Sequence, residues 1–157
     1  MFFRGVLLLH SFLYFSTKAE TLRLNGIISY TMNIFLRTIL LLAGVSVLHF
    51  AGVYFGVYDY QIRQGNVWFD NVLHILDGAI FAYAWVSYKE NKATLLSVIT
   101  FVIALAFGWE VIEYAFMALS PTYAVDLKIY SPSLSEAGQD IISNTLGGLA
   151  AFFLLRK

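Results

Sequence analysis

The sequence predicts an all-α polytopic membrane protein, a four-helix transmembrane bundle with both termini in the cytoplasm (N-in/C-in) and an N-terminal extension. Three observations predict it. The chain of 157 residues is 59% hydrophobic and 17% aromatic but only 13% charged, with a mean hydropathy of +0.72, which is far from the composition of a soluble domain. Four stretches are long and apolar enough to cross a hydrocarbon core of about 30 Å, a distance that takes about 20 residues of helix. Lysine and arginine alternate between the connecting segments in the pattern that favours the cytoplasmic side.

Residues 1–31 form the extension and residues 32–157 the four-span membrane domain. "GVLLLHSFLYF" is too short to span. With Arg4 before it and "STKAE" after it, it passes for a signal peptide, for an interfacial extension, or for residues upstream of a start at Met32. Cleavage there would invert every loop, which the basic residues oppose.

Span one runs from about Thr38 to Val57. "GVYFG", from Gly52 to Gly56, matches the GxxxG helix-contact pattern; His49 on the same face reads as a packed, neutral histidine. Tyr54, Tyr58, Tyr60, Trp68 and Phe69 then suggest an interfacial aromatic belt. Span two, Asn71 to Tyr88, is preceded by Asp70 as an N-cap, with Asn66 nearby. Spans three and four run from Ala93 to Leu119 and from Ala137 to Leu155. The connectors "YDYQIRQGN", "KENK" and "SPTYAVDLKIYSPSLSE" are polar and turn-rich.

Arg4, Lys18, Arg23 and Arg37 precede span one, Lys89 and Lys92 join spans two and three, and Arg156 and Lys157 close the chain. The other two connectors hold only Arg63 and Lys128. A formal net charge of +0 without a basic cluster excludes a nucleic-acid partner. The absence of cysteine excludes disulfides and thiolate ligands. No G-x-S-x-G, H-E-x-x-H, Walker or dinucleotide motif is present.

The spans carry an unusual polar set. Asp70, His74 and Asp77 fall at i, i+4 and i+7; Glu110 and Glu113 at i and i+3; Glu136, Asp140 and Asn144 at i, i+4 and i+8, continuing into Gly147 and Ala151. Counted at about 1.5 Å per residue, His74 and Asp77 lie roughly 6 and 10 Å below the outer surface, Glu113 and Glu110 roughly 9 to 14 Å, and Asp140 and Asn144 about 5 and 10 Å. An ionised carboxylate in a bilayer costs a few kcal/mol or more, so such groups face inward and find partners. No Lys or Arg lies at that depth. The partner is then a set of shared protons or a divalent cation. The expected metal ligands are His74, Glu110, Glu113 and Asp140, with Glu110 and Glu113 as the catalytic pair and Asp70, Asp77 and Asn144 in support. Oxygen-rich ligation with one imidazole suits Mg, Mn or, less well, Zn.

"DNVLHILDG", "WEVIEY" and "DIISNTLGG" resemble, in order and spacing, the D-x-x-x-H, E-x-x-E/Q and D-x-x-x-N-x-x-G motifs of the VanZ-like and YjdF-like small bacterial membrane proteins. The resemblance covers Asp70 to Gly148. It implies a multi-pass helical bundle in the bacterial cytoplasmic (inner) membrane and puts Asp70, His74, Glu110, Glu113, Asp140 and Asn144 at the family's polar positions. It implies no reaction.

Three functions remain in view. One is a membrane-embedded enzyme or modifying factor whose cation polarises an oxygen of an envelope lipid or lipid-linked small molecule, with membrane lipids as its partners. Another is a small proton- or ion-coupled transporter, opposed by the lack of internal repeats and by an almost wholly apolar inner half. The third is a structural or assembly protein whose polar cluster fixes helix packing.

Overall fold

The computed structural model describes residues 2–64, 68–129 and 133–156, with side chains for 26–60, 68–90, 92–129 and 133–156. Its elements are α1 (Phe2–Tyr54), α2 (Val57–Gln64), α3 (Trp68–Lys89), α4 (Leu95–Leu119), α5 (Pro121–Asp126) and α6 (Leu134–Leu155), with a 3-10 turn at Glu90–Lys92. No strand occurs among the described residues. The chain divides into two compact units, Met1–Leu36 and Arg37–Lys157. The first lies within α1, so the backbone of the extension is helical from Phe2 onward. The second contains everything that follows.

Local chemistry sets the helix ends. Thr94 opens α4 with a capping box, its side chain accepting from the Ser97 N–H while the Ser97 hydroxyl accepts from the Thr94 N–H. Ser133 caps α6 by accepting from the Glu136 N–H. α2 and α5 occupy connectors expected to be turns; Pro121 starts α5 at a position where its missing N–H costs nothing. Gly56, with φ +68°, breaks the chain out of α1. It therefore does not continue a contact stripe from Gly52, and "GVYFG" is not a helix-packing motif here. A Cβ on Gly52 would instead collide with the Phe69 ring of α3.

α3, α4 and α6 pack against one another, α3 and α6 most closely. Glycine permits this approach: a Cβ on Gly78 would collide with the backbone of Asn144, and one on Gly147 with the backbone of Ile75. Ala82, Val98, Val102 and Phe152 fill one end of this packing, where Trp85 stacks on Phe101 with centroids 4.5 Å apart. Val45 of α1, Tyr58 of α2 and Leu73 and Ile80 of α3 form a second cluster.

The surface is apolar and the interior partly acidic. Leu96, Phe107 and Leu154 are 74%, 60% and 81% exposed, whereas Glu110, Glu113 and Asp140 are 4%, 7% and 3% exposed. Water as the outer medium would favour the reverse partition. Two helices, Gly26–Tyr54 and Leu95–Leu119, are long and apolar enough to cross a membrane. α3 and α6, each of 22 residues, carry most of the buried polar groups.

Candidate metal centre

Starting at Trp68, α3 places Asp70 inside its first turn rather than at the cap. The expected N-cap role therefore does not hold, and the expected neighbour Asn66 lies outside the described residues. One turn on, His74 shares Asp70's face, and the tight α3–α6 crossing brings Asp140 opposite both. His74 Nε2 stands 3.7 Å from Asp70 Oδ2 and 3.6 Å from Asp140 Oδ1. One ligand atom from each of Asp70, His74 and Asp140 lies within 4.8 Å of the others. Two ligands on opposite sides of a cation with bonds of about 2.0–2.6 Å are about 4–5 Å apart, so the group matches the size of an ion.

Asn144 orients the imidazole. Its Nδ2 donates to the Asp140 carbonyl at 3.0 Å and approaches His74 Nδ1 at 3.1 Å. A carbonyl only accepts, which settles which end of the amide is nitrogen. In this arrangement His74 Nδ1 accepts and Nε2–H faces the two carboxylates, so a cation at Nε2 would displace that proton and turn the Asn144 amide over to accept from Nδ1–H. The remaining Asn144 oxygen, Oδ1, is buried without a hydrogen-bond partner. An unpartnered buried oxygen costs about 1–3 kcal/mol. A cation or a donating ligand would satisfy it.

The two glutamates stand differently from the expectation that made them ligands beside His74 and Asp140. Both are buried on the inner face of α4, but neither joins the three-residue group. Glu113 accepts a short hydrogen bond, 2.6 Å, from Trp109 Nε1. Asp140 lies within electrostatic reach of Asp70, Glu110, Glu113 and Glu136, so the acids of three helices do share one region. Asp70 takes the ligand position because it is one turn from His74 on the helix that α6 approaches most closely. At the start of α6, burial first, then the charges of Asp70 and Glu110, raises the Glu136 carboxyl above its ordinary range.

A second histidine enters through Tyr58. His49 Nε2 donates to the Leu127 carbonyl at 2.9 Å, so its Nδ1 accepts from the Tyr58 hydroxyl at 2.7 Å. The same hydroxyl stands 3.5 Å from Asp70 Oδ1, but its one proton is given to the nearer His49, so it neighbours Asp70 without donating to it. Burial, with the Asp70 charge second, pushes the Tyr58 phenol well above its ordinary range, so it stays protonated. Tyr58 is 7% exposed and so is not part of an interfacial belt, unlike exposed Tyr54, Tyr60 and Trp68. A latch from the end of α5 through His49 of α1 to Tyr58 of α2 thus ends beside a candidate ligand on α3. Spacing within a helix carries no trace of such a contact.

His49, Asp70 and His74, but not Tyr58 or Asp140, border a cavity of about 270 Å³. Asp70, His74, Asp77, Glu113, Asn144 and Lys128 give it a polar wall, and Leu42, Val45 and Phe81 an apolar one. Lys128 Nζ is held 3.0 Å from Asp59 Oδ1.

No curated protein and no solved structure matches the chain. A family model described as "Predicted membrane protein (DUF2238)" matches residues 5–157. With nearly the whole chain covered, and with an apolar exterior around buried acids, the protein belongs to this family of predicted membrane proteins.

Proposed function

We propose that this chain is a multi-pass protein of the bacterial cytoplasmic membrane that holds a divalent cation between Asp70, His74 and Asp140 and uses it on the headgroup of an envelope lipid or lipid-linked precursor. The observation that carries the reading is the convergence of two carboxylates and one imidazole, from two helices, within 4.8 Å. An imidazole among the ligands favours Mn²⁺ or Zn²⁺ over Mg²⁺. Held there by Asp70, His74 and Asp140, such an ion would supply Lewis-acid polarisation of an oxygen bound to it. Glu113, on the cavity wall, is the base placed to take a proton from the attacking group, and Glu110 adds negative charge that retains the cation.

The four-span, N-in/C-in arrangement is part of the same reading. It is supported by the alternation of Lys and Arg and by the apolar outer faces. The motif order shared with VanZ-like and YjdF-like proteins supports the bacterial inner membrane as its place. Reporter fusions after Lys92 should read cytoplasmic and fusions at Lys128 external; a cytoplasmic signal at Lys128 would overturn the topology.

Elemental analysis of detergent-purified protein tests the cation. About one equivalent of manganese or zinc is expected in the wild type, and a small fraction of that in Asp140→Asn and His74→Gln. Equal metal in all three, or none in the wild type after incubation with either ion, would overturn the reading.

A further inference from the structure

Two hollows meet at Val45. One is the cavity of about 270 Å³ beside the candidate ligands. The other is an open groove of about 570 Å³ between α1 and α3, bordered by Leu41, Gly44, Leu48, Leu76, Ala79 and Ile80. Leu41 and Leu48 are 47% and 48% exposed along it. A chamber with acids on one wall and an open apolar groove therefore lie on either side of one side chain, Val45.

The geometry points to a glycerophospholipid with an anionic headgroup as the occupant, entering sideways from the membrane. Its acyl chain lies in the α1–α3 groove and its phosphate in the cavity, between Lys128 and the cation. This rests on the membrane and cation reading above. Size decides how much of the lipid enters: pockets that enclose drug-sized molecules run about 300–1,000 Å³, so the cavity admits a headgroup and leaves the chains outside. The groove provides the apolar surface those chains need. Charge decides the headgroup. Asp70, Asp77 and Glu113 on the wall repel a bare anion, so a divalent cation must be the phosphate's first positive partner; Lys128 becomes the second by exchanging its exposed ion pair with Asp59 for the phosphate. Lipid capture is therefore cation-dependent. Gly44 keeps the groove open, since a Cβ there meets nothing within 4 Å. A larger side chain at that point fills the groove without disturbing a packed contact.

The test uses full-length protein in phosphatidylcholine vesicles with added manganese and a trace of phosphatidylglycerol carrying a photoreactive diazirine in its acyl chain. Peptide mapping should find saturable labelling, near one lipid per chain, on segments 41–48 and 76–80, lost on chelation. Gly44→Phe should lower that labelling about tenfold with manganese content unchanged. Equal groove labelling in Gly44→Phe, or labelling no stronger there than around exposed Leu96 and Phe107, would overturn the proposal in favour of ordinary annular contact. Manganese binding without groove labelling would overturn the lipid assignment alone. Saturable labelling of a protein that binds no manganese would overturn the cation reading and, with it, the headgroup assignment.

Discussion

The buried face of α4 changes character along its length. Val98, Val102 and Ala106 occupy its first half, Glu110 and Glu113 its second. The apolar end meets Ala82 of α3 and Phe152 of α6, and close packing accounts for it in full. The acidic end meets the region of Asp70, His74 and Asp140, and packing does not account for it. Each buried charge costs several kcal/mol unless paired. The same three helices, joined by the same glycine contacts, thus hold a structural plug at one end and a costly charged group at the other. There the Asp70–His74–Asp140 group has the size of a cation site, which packing alone does not require.

The comparison breaks most severely where both ends share a contact. Gly78→Leu drives a side chain into the Asn144 backbone, so α3 and α6 must separate. A loss at or above the top of the ~1–3 kcal/mol range for overpacking is expected, together with loss of metal binding. Unfolding in mixed micelles and a metal titration would read both. A variant that keeps native stability would show that the crossing is looser than described.

Phe152→Ala strikes the plug alone. Phe152 is 1% exposed, and truncation should cost about 3 kcal/mol, the low end for a buried phenylalanine. Metal affinity should stay within about twofold, which isothermal titration would check. A large affinity loss would mean that the two ends are not separable.

Asp140→Asn strikes the polar end alone and should do the opposite. Stability should change by less than about 1 kcal/mol, or rise, because the desolvation cost of a buried charge is removed along with its contact to His74. Metal affinity should fall about 100-fold, equivalent to about 2.7 kcal/mol. Tyr58→Phe is the mildest change: it removes the hydroxyl that donates to His49 and stands 3.5 Å from Asp70, and should weaken metal binding by less than the roughly tenfold seen when a ligand loses a hydrogen-bonded partner. No change in affinity would reduce the His49–Tyr58 latch to packing.

Hydropathy made the long helices legible, because about 20 apolar residues are hard to read otherwise. α2 and α5, of 8 and 6 residues, are too short to show a period. The candidate site was legible as a set of acids and one histidine sharing a depth, but not as a ligand list. Placing the start of the second span after Asp70 turned that residue into a cap; the helix begins at Trp68, and Asp70 then shares His74's face. Gly147 was visible as part of a small-residue stripe, whereas Gly78 stood out only once its contact with Asn144 was seen. His49 and Tyr58 were read as packing and belt residues because their link to Asp70 runs across elements, where sequence spacing is silent.

Pulsed electron paramagnetic resonance of manganese bound to the detergent-purified protein tests the central claim most directly. With His74 as the imidazole ligand, the wild type should show the modulation of one directly coordinated nitrogen, His74→Gln should lose it, and Glu113→Gln should retain it. No nitrogen modulation in the wild type, or modulation that persists in His74→Gln, would contradict a cation centre built on Asp70, His74 and Asp140.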